Sequence, residues 1–184
     1  MSRIHTPASI DTSPLASRAQ LSAVEKSLGS VPNLFRLVGN SPAALKGYLG
    51  LSGALSGAKL DAKTQERIAL AVAEIDRCDY CLSAHTYLGR NLAKLDDTEI
   101  TANRNGASTD RKASAAVRFA AQIVKARGHV TNEELAAVTA AGFSDAEIVE
   151  IVLTVVLNTF TNYVNEVAKT EIDFPVVSAR PVAA

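Results

Sequence analysis

Apolar residues recur at helical spacing along most of this 184-residue chain, and no stretch alternates apolar and polar positions as a half-buried strand would. The pattern predicts an all-α fold. Ser13-Pro14 reads as an N-cap with proline in the first helical position, opening a helix over 15–28 that Gly29 stops. A short helical turn follows over 32–38. Ser41-Pro42 repeats the start signal for a helix to about residue 57, although its glycines weaken it. Asp61 caps a strongly periodic helix to about residue 75, and the next runs to about residue 92. Further helices are predicted over 97–103, 110–127, 132–140 and 145–169. The last is too apolar around its wheel for the surface of a monomer, so it is either the central helix or a subunit contact.

Residues 13–173 therefore read as one helical domain, with a loose tail over 1–12 and an extended, proline-bearing tail over 174–184 that is free to lie on a neighbouring chain. Leu60-Asp61 and Phe143-Ser144-Asp145 both lead into long apolar helices, a loose echo of a duplicated unit. Lys plus Arg and Asp plus Glu number 19 each, so no global charge favours nucleic acid or an anionic membrane. The apolar run at 148–157 is interrupted by Glu150 and too short to span a bilayer. With no apolar leader in MSRIHTPASIDTSP, a cytoplasmic location is expected.

The chemistry concentrates in CDYCLSAH, residues 78–85, which holds the only two cysteines and one of three histidines. About 1% of random placements of two cysteines would give this spacing, and Cys-x-x-Cys is a redox or metal signal. In a reducing compartment the pair is not expected to be a static disulfide. Asp76 and Asp79 have the spacing of a capping box, which would start a helix at Arg77 and place Cys78 where helix N–H groups and the dipole favour a thiolate. Cysteines at i and i+3 share a helix face and suit a reversible disulfide. His85 stands at i+4 from Cys81, within reach of its thiol proton. That base favours Cys81 as nucleophile, with Cys78 as the resolving thiol, although the dipole alone would favour Cys78. Zinc would find only Cys78, Cys81 and His85, one short of a structural site, so neither metal nor cofactor is expected. His5, His129, Tyr80 and Tyr87 receive no role.

Glu66 followed by Cys78-Asp79-Tyr80-Cys81 and then His85 resembles the Glu…Cys-x-x-Cys-x-x-x-His signature of the alkylhydroperoxidase D family, within the carboxymuconolactone decarboxylase superfamily. VPNLFRLVGNSPAALKGYL and residues 143–168 are similar to the N-terminal region and closing helix of peroxidase-related members. The resemblance implies an all-helical domain in trimers or hexamers, with the active site near a subunit interface. It also implies a thiol peroxidase acting on a small hydroperoxide. Glu66 and His85 would relay protons to Cys81, Cys78 would resolve the sulfenic acid, and a dithiol or lipoylated protein would supply electrons. Tyr80 stands where the best-known members carry a second histidine, which implies weaker peroxidase activity or a disulfide as the acceptor. The alternatives are a general disulfide oxidoreductase, a cofactor-free decarboxylase, which needs no cysteine pair, and a non-enzymatic zinc-binding or helical assembly module.

The wheel separates the two glutamates of the preceding helix. Glu66 shares a face with Ala69, Leu70 and Ala73, whereas Glu74 lies on the stripe of Lys63 and Arg67 and is expected to meet water.

Overall fold

The computed structural model describes residues 2–181, and among these every regular element is a helix. The order is α1 (Leu15–Leu28), α2 (Asn33–Val38), α3 (Pro42–Ser56), α4 (Ala62–Ile75), α5 (Asp79–Asn91), α6 (Asp97–Arg104), α7 (Arg111–Ala126), α8 (Asn132–Ala140) and α9 (Asp145–Ala168). Side chains cap most N-termini: Ser41, Asp61, Asp96 and Asp110 each accept the N–H three residues on. Thr131 and Ser144 make full capping boxes with Glu134 and Glu147. Helix α1 differs from the expected start. Pro14 is the cap position and Leu15 the first helical residue, because the Ser13 hydroxyl donates to Ser9 O instead of capping.

Helix α4 is the hub. Ile68 to Ala73 are all buried, and the helix packs against α5, α6, α7 and α9. A run of small and branched apolar residues lets four neighbours approach one helix at once. One core cluster joins Ile68 and Val72 to Val117 and Phe119 of α7 and to Ile151 and Val155 of α9. A second joins Leu21, Leu34 and Leu45 of the first three helices to Ala73, Cys78, Cys81 and Leu82. The cysteines thus sit where the N-terminal helices close over the α4–α5 corner.

Helix α9 is neither purely central nor purely peripheral. One face buries Ile151 and Val155, while Val149, Val152, Val156, Tyr163 and Val167 stand exposed along another. Its 24 residues have the length and composition to cross a membrane, beyond what the short run at 148–157 suggested. Here it packs on α2, α3, α4, α5, α7 and α8 as a bundle helix.

Both tails lie against the helices. Arg3 N donates to Ala168 O, and Asn40 Nδ2 to His5 O. Residues 173–180 run as a strap along their own chain's α5 and the end of α4. Asp173 accepts from Asn33 N and the Tyr80 hydroxyl at 2.7 and 2.8 Å. Val177 N donates to Ser83 Oγ at 2.9 Å, Ala179 N to Asp79 Oδ1 at 2.8 Å and Arg180 N to Glu74 Oε1 at 2.8 Å. Residues 182–184 of the predicted tail lie outside the described residues.

Candidate active site

The site is built on the corner between α4 and α5. Asp76 caps the C-terminus of α4, Arg77 adopts a left-handed φ of 58°, and Cys78 is itself the N-cap of α5. This replaces the expected capping box from Asp76. The left-handed residue consumes the position at which that helix would have begun, so the cap falls two residues later. The Cys78 sulfur takes the capping role, accepting the Cys81 N–H at 3.2 Å. Asp76 turns instead to α9, where Asn162 Nδ2 donates to Oδ2 at 2.8 Å. Burial raises the Asp76 carboxyl pKa, partly offset by that bond.

Both cysteines are free thiols, 0% and 3% exposed for Cys78 and Cys81. Their shared turn matches the predicted i, i+3 placement, and the first-turn N–H of Cys81 already points at the Cys78 sulfur. The electrostatics of Cys81 differ from expectation. Burial pushes its pKa well above the ordinary thiol range; Cys78 and Glu166 add to this, and a hydrogen bond from Asn165 opposes it. Asn165 Nδ2 donates to Cys81 Sγ at 3.3 Å. Cys81 therefore rests as a thiol, because solvent exclusion outweighs the dipole of the short helix.

His85 lies one turn beyond Cys81, with Nδ1 2.8 Å from Glu66 Oε1. Among the described residues no hydrogen bond joins the imidazole to either sulfur, so the i+4 contact predicted between His85 and Cys81 is not made in this state. Burial lowers the His85 pKa, but the Glu66 charge and hydrogen bond, helped by Asn158, outweigh it and leave it raised. Glu66 and His85 come from the facing helices α4 and α5, and Gly89 sits at that contact, where an added Cβ would press on Leu95 Cδ1 at 3.3 Å and only touch Glu66 Cγ at 3.9 Å.

Glu74 is not on a water-facing stripe. Its side chain is 12% exposed, less than the 17% of Glu66. Its carboxylate accepts Arg104 Nε at 2.6 Å and Arg180 N at 2.8 Å. The wheel of α4 alone contains no information about α6 and the strap, which cover that face.

Tyr80 is likewise held on both sides. Its hydroxyl accepts from Leu34 N at 3.1 Å and donates to Asp173, and its ring meets Phe174 edge-on. Tyr48 of α3 lies between Phe35 and Phe160 with tilted rings, and burial, with a smaller effect from nearby Cys81, raises its pKa. Sequence reasoning missed Tyr48, Asn158 and Asn165. The signal available for the asparagines was their spacing, at 158, 162 and 165 on one face of a long, largely apolar helix. No group of three His, Cys, Asp or Glu side chains among the described residues is arranged to hold a metal ion. A cleft of about 400 Å³ beside the corner is lined by Arg77, Asp79, Glu166, Lys169 and Ala179. A larger groove, about 820 Å³, lies between α7 and α8 and contains none of these groups.

Residues 42–126 match the model of the Carboxymuconolactone decarboxylase family. An uncharacterized protein of Haemophilus influenzae is 45% identical over 65 residues, 35% of this chain and 52% of that one, so the match spans about half the length of this relative. The fold is closely similar to an alkylhydroperoxidase AhpD core, an uncharacterized peroxidase-related protein from Ralstonia eutropha JMP134: TM-score 0.82, 23% identity, 94% of this chain and 92% of that one. It is also similar to the debrominase Bmp8, with TM-score 0.73, 20% identity, and 87% and 89% covered. At these identities the structural likeness is one of fold. Residues 42–126 are thus similar to the Carboxymuconolactone decarboxylase family, and the chain has the all-helical fold of the alkylhydroperoxidase AhpD core.

Proposed function

We propose that the protein is a thiol-dependent hydroperoxide reductase in which Cys81 is the nucleophile, Cys78 the resolving thiol, and His85 with Glu66 the proton relay. The observation that carries this reading is the coincidence of two buried free thiols on one helical turn with a carboxylate–imidazole pair one turn away. A decarboxylase has no use for the paired thiols, and a zinc site lacks its fourth ligand.

Proton transfer from Cys81 to His85 runs through the substrate or a water, since the imidazole is bonded to Glu66 and not to the sulfur. The Cys81 thiolate attacks the terminal peroxide oxygen; the S–O bond forms, the O–O bond breaks, and the alkoxide takes a proton from His85. Sulfur loses two electrons and the peroxide gains them. The Cys78 thiol then attacks the sulfenic sulfur, the disulfide forms and water leaves. An external dithiol, either small or a lipoylated protein, restores both thiols. The exposed stripe of Val149, Val152, Val156, Tyr163 and Val167 is the surface on which a second copy packs, giving a cytoplasmic homo-oligomer.

Intact mass before and after stoichiometric hydroperoxide tests the reading. A loss of two hydrogens per chain, assigned to a Cys78–Cys81 bond, is expected, with oxidation fast in stopped flow. No mass loss, or a bond formed only between chains, refutes it.

A further inference from the structure

The buried face of α9 carries three asparagines beside Thr154 and Thr161, and each asparagine meets a different part of the corner. Asn158 lies beside the imidazole of His85, its Nδ2 donating to Thr154 O. Asn162 donates to Asp76. Asn165, 2% exposed, donates to the Cys81 sulfur at 3.3 Å. Its Oδ1 is buried, and among the described residues nothing donates to it. Leaving a buried carbonyl unpaired is costly, and the full capacity of an amide is two donated and two accepted bonds. Asn162 Oδ1 is unpaired as well, but that amide is engaged with a helix-terminal carboxylate and not with a sulfur. Asn165 alone combines a bond to the nucleophile with an unpaired acceptor alongside it.

Resting on the peroxidase reading, we infer that Asn165 is a catalytic residue of the thiol chemistry, its Nδ2–H holding the Cys81 sulfur while it carries charge and its Oδ1 receiving the O–H of the sulfenic acid formed there. The fit is one of edges. A carboxamide presents a donor and an acceptor side by side, and an S–O–H group presents an acceptor sulfur and a donor hydroxyl side by side. The resting thiol engages only the donor half of the amide. Attack of the thiolate on the hydroperoxide R–O–O–H transfers O–H to sulfur and releases R–O⁻, which takes a proton from His85. The new hydroxyl then pairs with the acceptor that had no partner. The amide thereby favours both the charged sulfur before oxygen transfer and the oxidised sulfur after it, until Cys78 displaces the hydroxyl as water.

The groups facing Cys81 set the background against which Asn165 acts. Cys78 and Tyr80 lie on the motif itself, Tyr48 comes from α3, Glu166 from α9, and the His85–Glu66 pair stands one turn on. Apart from the imidazolium, none of them adds positive charge, and Glu166 opposes ionisation. Among the described residues, the neutral donor of Asn165 is the side-chain bond that favours the thiolate directly.

The test uses the full chain carrying Cys78→Ser, so that Cys81 reacts alone. Iodoacetamide alkylation of Cys81 against pH reads the donor half of the amide; the lifetime of the sulfenic acid after one equivalent of hydroperoxide, read by dimedone capture and mass, reads the acceptor half. Asn165→Leu should raise the alkylation midpoint by roughly one pH unit and shorten the sulfenic lifetime about tenfold, as expected when a buried hydrogen bond to a charged or polar sulfur group is lost. Asn165→Asp keeps the shape of the side chain and should raise the midpoint further, because a carboxylate beside the sulfur opposes its charge. A merely structural role predicts the reverse order, with the near-isosteric Asp closer to the parent than Leu. If Asn165→Leu does not fold, Asn165→Ala carries the same two measurements. A folded variant with unchanged midpoint and unchanged lifetime overturns the inference while leaving the peroxidase reading intact. If hydroperoxide fails to oxidise Cys81 in the parent, the peroxidase reading falls, and with it the acceptor half; the alkylation midpoint still supports or overturns the donor half.

Discussion

Exchanging one carboxylate for an amide at Glu66 or at Glu74 should have opposite consequences for rate and stability, although both side chains are largely buried on the same helix. Glu66→Gln removes the charge paired with His85 at 2.8 Å while keeping the shape of the side chain. A hydrogen bond to a charged partner contributes about 1.5–3 kcal/mol, and burial places this one toward the upper end. At about 1.4 kcal/mol per decade, the rate of Cys81 oxidation should fall on the order of 10². The raised pKa of His85 supplies a second readout: without Glu66 the His85 limb of the pH–rate profile moves to lower pH. The stability linked to that raised value is fully present below about pH 6.5, the free histidine value, and is lost as pH rises through the folded value. Glu66→Gln should therefore destabilise more at pH 6 than at pH 9. Glu74→Gln instead weakens the bonds to Arg104 and to the strap at Arg180. Its expected cost is about 1–3 kcal/mol, several degrees of melting temperature for a chain of this size, with oxidation changed less than about threefold. Stopped-flow oxidation over pH 5–9, with thermal unfolding of both variants, is the assay. Equal rate effects at the two positions, or a larger one at Glu74, refute the relay.

Three neighbouring outcomes follow from the same packing. Val155 is 4% exposed in the core and Val156 is 51% exposed on the α9 stripe, so Val155→Asp should unfold the chain, whereas Val156→Asp should leave circular dichroism intact and shift light scattering toward the monomer. Unchanged assembly in the Val156 variant counts against the stripe as the subunit contact. Buried Glu99 loses solvation, but Ser108, Thr109 and Asn103 more than compensate and lower its pKa to about 2, with Arg67 Nε also bonded to it at 2.7 Å. A depressed carboxylate stabilises above its unfolded pKa and loses that contribution as pH falls through the folded one, so Glu99→Gln should cost about 3 kcal/mol at pH 7 and progressively less between about pH 4.5 and pH 2. Denaturant titrations across that range check it, and a pH-independent difference would contradict the assignment.

The helices were readable before the structure because their signals are local. Asp61, Asp110 and Ser144 begin helices where their spacing to the following apolar residues placed them, and α4 and α7 carry strong one-face periodicity. Of the candidate residues, Cys78, Cys81 and His85 stood out by spacing and Glu66 by the family resemblance and the wheel, and the structure places Glu66 against His85 and Cys81 N on the Cys78 sulfur. What was not readable depends on partners distant in sequence. Glu74 is buried by α6 and by the strap, 30 and 106 residues away. Cys81 is buried among helices α3 and α9, which reverses the direction expected from the helix dipole alone. Val155 and Val156 are adjacent in an apolar helix, and only the packing of α9 tells core from surface.

The corner at Asp76 and Arg77 works as a ruler. Because α4 stops at Ile75, one left-handed residue turns the chain, and α5 starts at Asp79, the interval between Glu66 and His85 in sequence is converted into a single contact in space. Inserting even one residue between Ile75 and Cys78 would rotate α5 by about 100° about its own axis if the entry point held, carrying His85 off the face that meets Glu66. Length variation outside residues 66–85 carries no such direct penalty for the pair. The spacing of this segment is therefore a stricter criterion for recognising the same constellation in other sequences than the identity of the residues between the cysteines, where Tyr80 serves to anchor α2 and the strap.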